Sequence, residues 1–251
     1  MIEKCFILTL VIMLSGCVSE RNRTLSPPED TQWVTVGVNV PEDLVVLPLE
    51  VGYRSERCKH TRHNSSGKAW EVPGYNTVEV PLTKKNAATD FFEAKIATNG
   101  GGQCKWHLSV INIKLAYKNT QKFGQQLTPV ISVRTKLLFD YISLNNILNY
   151  QRIGNDGVIK DEYFPFITES FLGKYEKQIW LYSGRYDKMY SALGFSTIIF
   201  KPNFHADKIV RGIGPKVKEE GVYGTLIYPD GTTIPRTESF PDIDVLKGFI
   251  K

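Results

Sequence analysis

Apolar and polar residues alternate through the first half of the chain with the period of two that half-buried strands require. Val34, Val36, Val38 and Val40 share one face, with Thr35, Gly37 and Asn39 on the other. Beyond a turn at 41–43, Val45, Leu47, Leu49, Val51 and Tyr53 form a second set. Val78, Val80 and Leu82 form a third, and Phe92, Ala94 and Ile96 a fourth. Asn99, Gly100, Gly101 and Gly102 then signal a turn, because glycine accepts positive φ without steric cost. Trp106, Leu108 and Val110 follow on one side, and from Ile111 the parity moves to Ile111, Ile113, Leu115 and Tyr117, which predicts a bulge near Val110. Ile131, Val133 and Leu137 predict a sixth strand. Short alternating strands between Pro, Gly and Asn turns predict a mainly β chain, with a β-sandwich-like first half over 31–120.

The second half, 121–251, is less regular and reads as β-rich with minor helix, either as a second unit or as part of the same domain. Strand-like runs fall at 178–182, 197–200, 209–210 and 225–228. A turn at 229–232 leads into the second arm of a hairpin at 233–236. Short helices are expected within 139–150 and 242–249, the first weakened by its three asparagines. Tyr163, Phe164 and Phe166 are aromatic without a clear period, and Asp161, Glu162 and Glu169, carboxylates of the kind a glycosidase pairs as acid and base, read instead as exposed loop acids. Boundaries are possible near 119–127 or 152–157, and no internal repeat is visible.

The N-terminus changes the picture most. Residues 6–13 are apolar, follow Lys4 and are too few to span a bilayer, as in a secretory signal. The run Leu14-Ser15-Gly16-Cys17 that follows resembles the lipobox of bacterial lipoproteins, although Glu3 is unusual in such a leader. That resemblance implies removal of residues 1–16, diacylation of Cys17 and a polar tether over 17–30, leaving 251 − 16 = 235 residues. Two or three acyl chains anchor a protein stably where one does not. Val18, rather than Asp, after the cysteine implies the outer membrane, with the domain facing the periplasm.

With Cys5 in the leader and Cys17 given to lipid, Cys58 and Cys104 remain. In an oxidising compartment they most simply form one disulfide; two separate buried thiols are the alternative. Their separation, 104 − 58 = 46, makes the bridge worth on the order of 4 kcal/mol in the chain-entropy model. The net charge of +5 is modest and scattered, which argues against a nucleic-acid surface and allows an acidic partner.

Candidate chemistry is sparse. Arg54, Arg57, Lys59, His60, Arg62 and His63 surround the first retained cysteine. They read either as a clamp for carboxylates or phosphates or as a solvated basic loop. Cys58, His60 and His63, with His107 beyond the bridge, superficially suggest a metal, but a zinc site needs three or four convergent ligands and a second shell, so no metal is expected. No nucleophile elbow, phosphate loop or His-Glu-x-x-His motif is present, no cofactor is implied, and the chain reads as a non-enzyme. Trp70 to Tyr75 reads as a preorganised aromatic loop, either as an interface or, for at least one of Trp70 and Tyr75, as a core anchor.

The stretches YRSERC at 53–58, VPGYN at 72–76, GGGQCKW at 100–106, YFP at 163–165 and ESFLG at 169–173 resemble periplasmic lipoproteins of enteric bacteria. Among these, the likeness is to immunity lipoproteins encoded beside type VI secretion effectors, antibacterial phospholipases in particular. It implies a binding module that captures a toxin at the membrane and occludes its active site, with no catalytic residue to carry over. Arg54, Arg57, Trp70 and Tyr75 are then the interface candidates. The alternative is a structural outer-membrane lipoprotein lending a β domain to an envelope or secretion assembly; a periplasmic enzyme of cell-wall or lipid metabolism is the least favoured for want of motifs.

Overall fold

Val34, Val36 and Val38 are buried, and the strand that carries them lies inside a mainly β sandwich. The computed structural model describes residues 23–86, 88–130, 134–145, 149–184 and 186–250. The lipobox-like run with Cys17, and Ile131 and Val133 of the expected sixth strand, lie outside the described residues.

With strands numbered in chain order, the larger sheet has ten among the described residues. From one edge it runs β5 (Thr83–Lys84), β6 (Phe91–Ala97), β1 (Trp33–Asn39), β16 (Thr197–Phe204) and β13 (Val158–Ser170). It continues through β17 (Val210–Ile213), β18 (Gly224–Ile227) and β19 (Thr233–Arg236). On the other edge of β13 lies β14 (Glu176–Tyr182), followed by β10 (Thr128–Val130). The second sheet, of seven strands, runs β4 (Ala69–Val80), β3 (Leu49–His63), β8 (Trp106–Ile113), β11 (Thr135–Leu138), β15 (Lys188–Ser191) and β12 (Gln151–Arg152), with β7 (Asn99–Gly101) on β8. A small pair joins β2 (Leu44–Val46) to β9 (Leu115–Tyr117). Among the described residues the α-helices are α1 (Tyr141–Asn145) and α2 (Ile243–Lys247); Asp242 caps α2, its carboxylate accepting the Asp244 N–H at 2.8 Å.

The two sheets face each other across a core of Leu49, Val51, Ile111, Ile113, Leu137, Ile198 and Phe200 together with the β1 valines. The expected bulge is present: Gly52 faces Val110 and Tyr53 faces Leu108, so Ser109 is the extra residue on β8. The second expected set divides in two, because β2 ends at Val46 and pairs with β9 while β3 begins at Leu49. Residues from both sides of position 120 alternate within each large sheet, β1 pairing in parallel with β16 and β11 antiparallel with β8. Such pairings merge the two halves into shared sheets.

β13 corrects the reading of Asp161, Glu162 and Glu169 as loop acids, since all three lie on this strand. Its first half pairs with β16 and its second half with both β14 and β17. His205 N–H donates to Tyr163 O and Gly214 N–H to Glu169 O, so β16 and β17 lie on the same side of β13, interrupted by residues 205–209. Phe164 and Phe166 pack under α2 and the C-terminal segment with Tyr182, Val210 and Leu246, while Ile167 on the opposite face packs with Phe123 and Ile179. Burial on both faces removes the polar half of the alternation, and with it the period a strand would show.

The segment assigned to the tether is seated from residue 23 onward. Ser26 N–H donates to Gly100 O at 2.8 Å, Gly102 N–H donates to Ser26 O, and the Asn76 carboxamide donates to Arg23 O at 2.8 Å. A Cβ on Gly101 would lie 2.1 Å from Ser26 O, so the glycine run serves this close approach as well as the turn.

Candidate functional site

β3 and β4 extend beyond the sandwich as a two-stranded arm, and this corrects two expectations: the basic segment and the Trp70–Tyr75 segment are paired strands rather than loops. Ser55 faces Gly74 and His60 faces Val72, so residues 56–59 oppose Pro73 alone in a wide bulge. Cys58 in this bulge is bonded to Cys104, with a Cα–Cα distance of 5.4 Å. Ser55 Oγ accepts the Cys58 N–H at 2.9 Å and donates to Cys104 O at 2.5 Å. Gly74 admits the bulge, because a Cβ there would lie 2.0 Å from Cys58 O. At the tip, the Asn64 carboxamide oxygen accepts from Ser66 N–H and Lys68 N–H, closing the turn.

The four interface candidates do not share one patch. Trp70 and Tyr75 are both exposed, at 44% and 42%, so neither anchors the core. They stand five positions apart on β4 and therefore point to opposite faces. Trp70 pairs with Arg62 on the arm, and Arg57 is exposed in the bulge. Arg54 and Tyr75 pair directly, with the guanidinium 5.6 Å from the ring centroid.

That second pair lines a cleft of about 330 Å³ on the outer face of the seven-stranded sheet. Val110, Asn112 and Leu138 form its floor, and Arg134 and Lys136 its far wall. The sheet register fixes the arrangement: Lys136 faces Asn112 and Leu138 faces Val110. Arg54 Nε donates to Ser109 Oγ at 2.9 Å and lies 3.2 Å from the Asp140 carboxylate. Asp187 takes Arg134 through its backbone N–H at 2.9 Å and its guanidinium at 3.0 Å, and also takes Lys136 at 2.8 Å. Burial alone pushes the Asp187 carboxyl up, but these hydrogen bonds and the Lys136 charge bring it below the usual carboxylate range. Sequence reasoning missed Asn112, Arg134, Lys136 and Asp187, because only the pairing of β8 with β11 and β11 with β15 brings them beside Arg54.

The chain matches no family model, no curated protein and no solved structure.

Two other places bear on chemistry. A wider cleft of about 960 Å³ opens where Trp33, Leu108, Phe139 and Phe195 meet, with His107 and Asp140 at its wall. Between the sheets, Ser183 Oγ donates to Asp161 at 2.8 Å and accepts from Lys188 at 2.7 Å, and Lys188 also pairs with Asp161. Burial pushes the Asp161 carboxyl up and the Lys188 ammonium down, while their mutual attraction opposes both shifts. Ser183 is 0% exposed, and this trio braces the sandwich interior. Among the described residues, no three His, Cys, Asp or Glu side chains converge as metal ligands, and no helix is long and apolar enough to cross a membrane.

Proposed function

We propose that this protein is a lipid-anchored periplasmic immunity protein that binds a type VI secretion toxin, a phospholipase, and blocks its active site. The observation that carries the reading is an exposed sheet face bearing Arg54 and Tyr75, whose two strands run on into a disulfide-stapled arm that presents Arg57 and Trp70 on separate surfaces. Arginine and aromatic side chains dominate protein–protein hot spots, and a surface held rigid before binding loses little entropy on docking. The lipobox-like run before Cys17 supports the location, on the outer membrane facing the periplasm. A tether there raises the effective concentration of inhibitor at the bilayer, where a lipase must act.

Co-expression tests the reading. A periplasm-directed phospholipase effector encoded beside this chain should arrest growth alone, and the full chain should restore it. Arrest undiminished by the chain, with both proteins present in the periplasm, refutes the proposal. Loss of protection in Cys17→Ala alone reports on the tether, because the binding surface is intact in that variant.

A further inference from the structure

The first described residues sit at the foot of the β3–β4 arm. Arg23 O accepts from the Asn76 carboxamide at 2.8 Å, and Asn76 lies two residues from Gly74, where the arm leaves the sandwich. A Cβ on Gly102 would lie 2.5 Å from Thr24 O, and Gly102 is two residues from the bridged Cys104. The arm and the N-terminal segment therefore leave the sandwich at one end. β1 starts from this end, since Trp33 faces Ala97 while Asn99 and Arg54 both face His107. β16, β13 and β17 run parallel to it, so the segment after β17 lies at the opposite pole.

Beyond Ser55 the arm carries Arg57, Lys59, Arg62 and Lys68 against Glu56 and Glu71. Lys59 lies 3.9 Å from Glu56, and Arg57, Arg62 and Lys68 form no ion pair among the described residues. Exposed Arg23 and Lys105 add two cations at the base, while Glu29 and Asp30 lie past the Ser26–Gly100 contact, toward β1. Exposed Trp70 pairs with Arg62, so ring and guanidinium share a face near the tip.

We propose that the arm is a membrane-contact element whose tip meets the anionic phospholipid headgroups of the bilayer that anchors the chain. Reach selects the bilayer. Cys17 precedes Arg23 by 23 − 17 = 6 residues, which span at most about 20 Å. The arm runs the same number of residues from Gly74 to Lys68, about 20 Å of strand. A lipid on Cys17 thus holds the membrane surface within the arm's length. Shape agrees: a ribbon exposed on both faces throughout 61–71 presents separate charges, which a plane of headgroups meets without a complementary cavity. Lysine and arginine are drawn to anionic lipid, and tryptophan settles at headgroup level. The inference deepens the immunity reading and rests on it for the anchor at Cys17; it gives the arm to the bilayer and leaves Arg54 and Tyr75 to the toxin.

The test reconstitutes the mature full chain into vesicles of phosphatidylethanolamine with phosphatidylglycerol, or of phosphatidylcholine alone, each doped with brominated phosphatidylcholine. Tryptophan quenching should be at least twofold stronger in the anionic vesicles, weaken with added salt and disappear in Trp70→Phe. Arg62→Gln combined with Lys68→Gln should abolish this excess with unchanged melting temperature. Lys216→Gln combined with Lys218→Gln removes the same charge at the opposite pole and should leave it intact. Equal quenching in the two vesicle types, or equal loss in both double variants, would overturn the inference. So would an arm shielded only when the toxin is added, which makes it a protein interface. The protection assay and palmitate labelling separate the layers of the argument. Lipid-dependent quenching without toxin protection sinks the immunity reading and leaves the membrane contact. Absence of label at Cys17 with the quenching intact sinks the anchor alone. Protection with label present and no lipid dependence at Trp70 sinks the arm's role alone.

Discussion

β13 and the β3–β4 arm are both long, paired strands, yet opposite forces hold them. β13 has protein on both faces: Asp161 and Tyr163 lie in the sandwich, and Phe164 and Phe166, both 0% exposed, lie under α2. The arm's tip has exposed residues throughout 61–71, and a covalent bridge replaces the missing core at its base. Burial secures the first region through many weak contacts, and a single bond constrains the second. The buried region is free to use aromatic bulk, while the arm and the adjoining outer face are free to carry charge.

The largest expected effect tests the buried side of this contrast. Phe166→Ala should cost about 3–5 kcal/mol in chemical denaturation, as large-to-small changes do in a packed core. A loss below about 1 kcal/mol would show that β13 is not gripped from both faces. Replacing Cys58 and Cys104 together by alanine should cost about 2–4 kcal/mol. Amides of 56–72 should then exchange markedly faster while those of β13 stay slow; equal acceleration in both regions would dissolve the distinction. Asp187→Asn, on the outer face, should cost about 1 kcal/mol or less at neutral pH. Its folded carboxyl lies below the usual range, so its contribution is complete above the unfolded value of about 4 and disappears as pH falls through the folded one. Wild type and variant should therefore converge in stability under acid, and a gap that widens there would contradict the assigned pairing.

Legibility followed burial. The β1 valines and the shift of parity at Ser109 were readable because the inner face of each strand is apolar and buried, and the hairpin before Thr233 was readable from its turn residues. β13 was not, since covering both faces erases the polar positions that mark a strand. The basic segment around Cys58 misled in the opposite sense: charge suggested a loop, whereas a strand exposed on both faces is polar on both. Of the outer-face cleft, Arg54 and Tyr75 were visible as candidates. Asn112, Arg134, Lys136 and Asp187 carried no local signal, because their proximity arises from strand order rather than from spacing along the chain.

The amino-acid sequence by itself determined the mainly β class, and with it the strands that alternate and the turns between them. It also narrowed the cysteine pairing to one economical choice, which the fold adopts. Periodicity, turn propensity and composition act over a few residues, so they can be read locally. Tertiary structure alone decided that strands from both halves interleave in two sheets, that Asp161 and Lys188 meet between those sheets, and that Arg54, Arg134 and Lys136 line one cleft on the outside. Those outcomes depend on which strands pair and in what register. Hydrogen bonding between distant segments sets both, and no short stretch of chain encodes them.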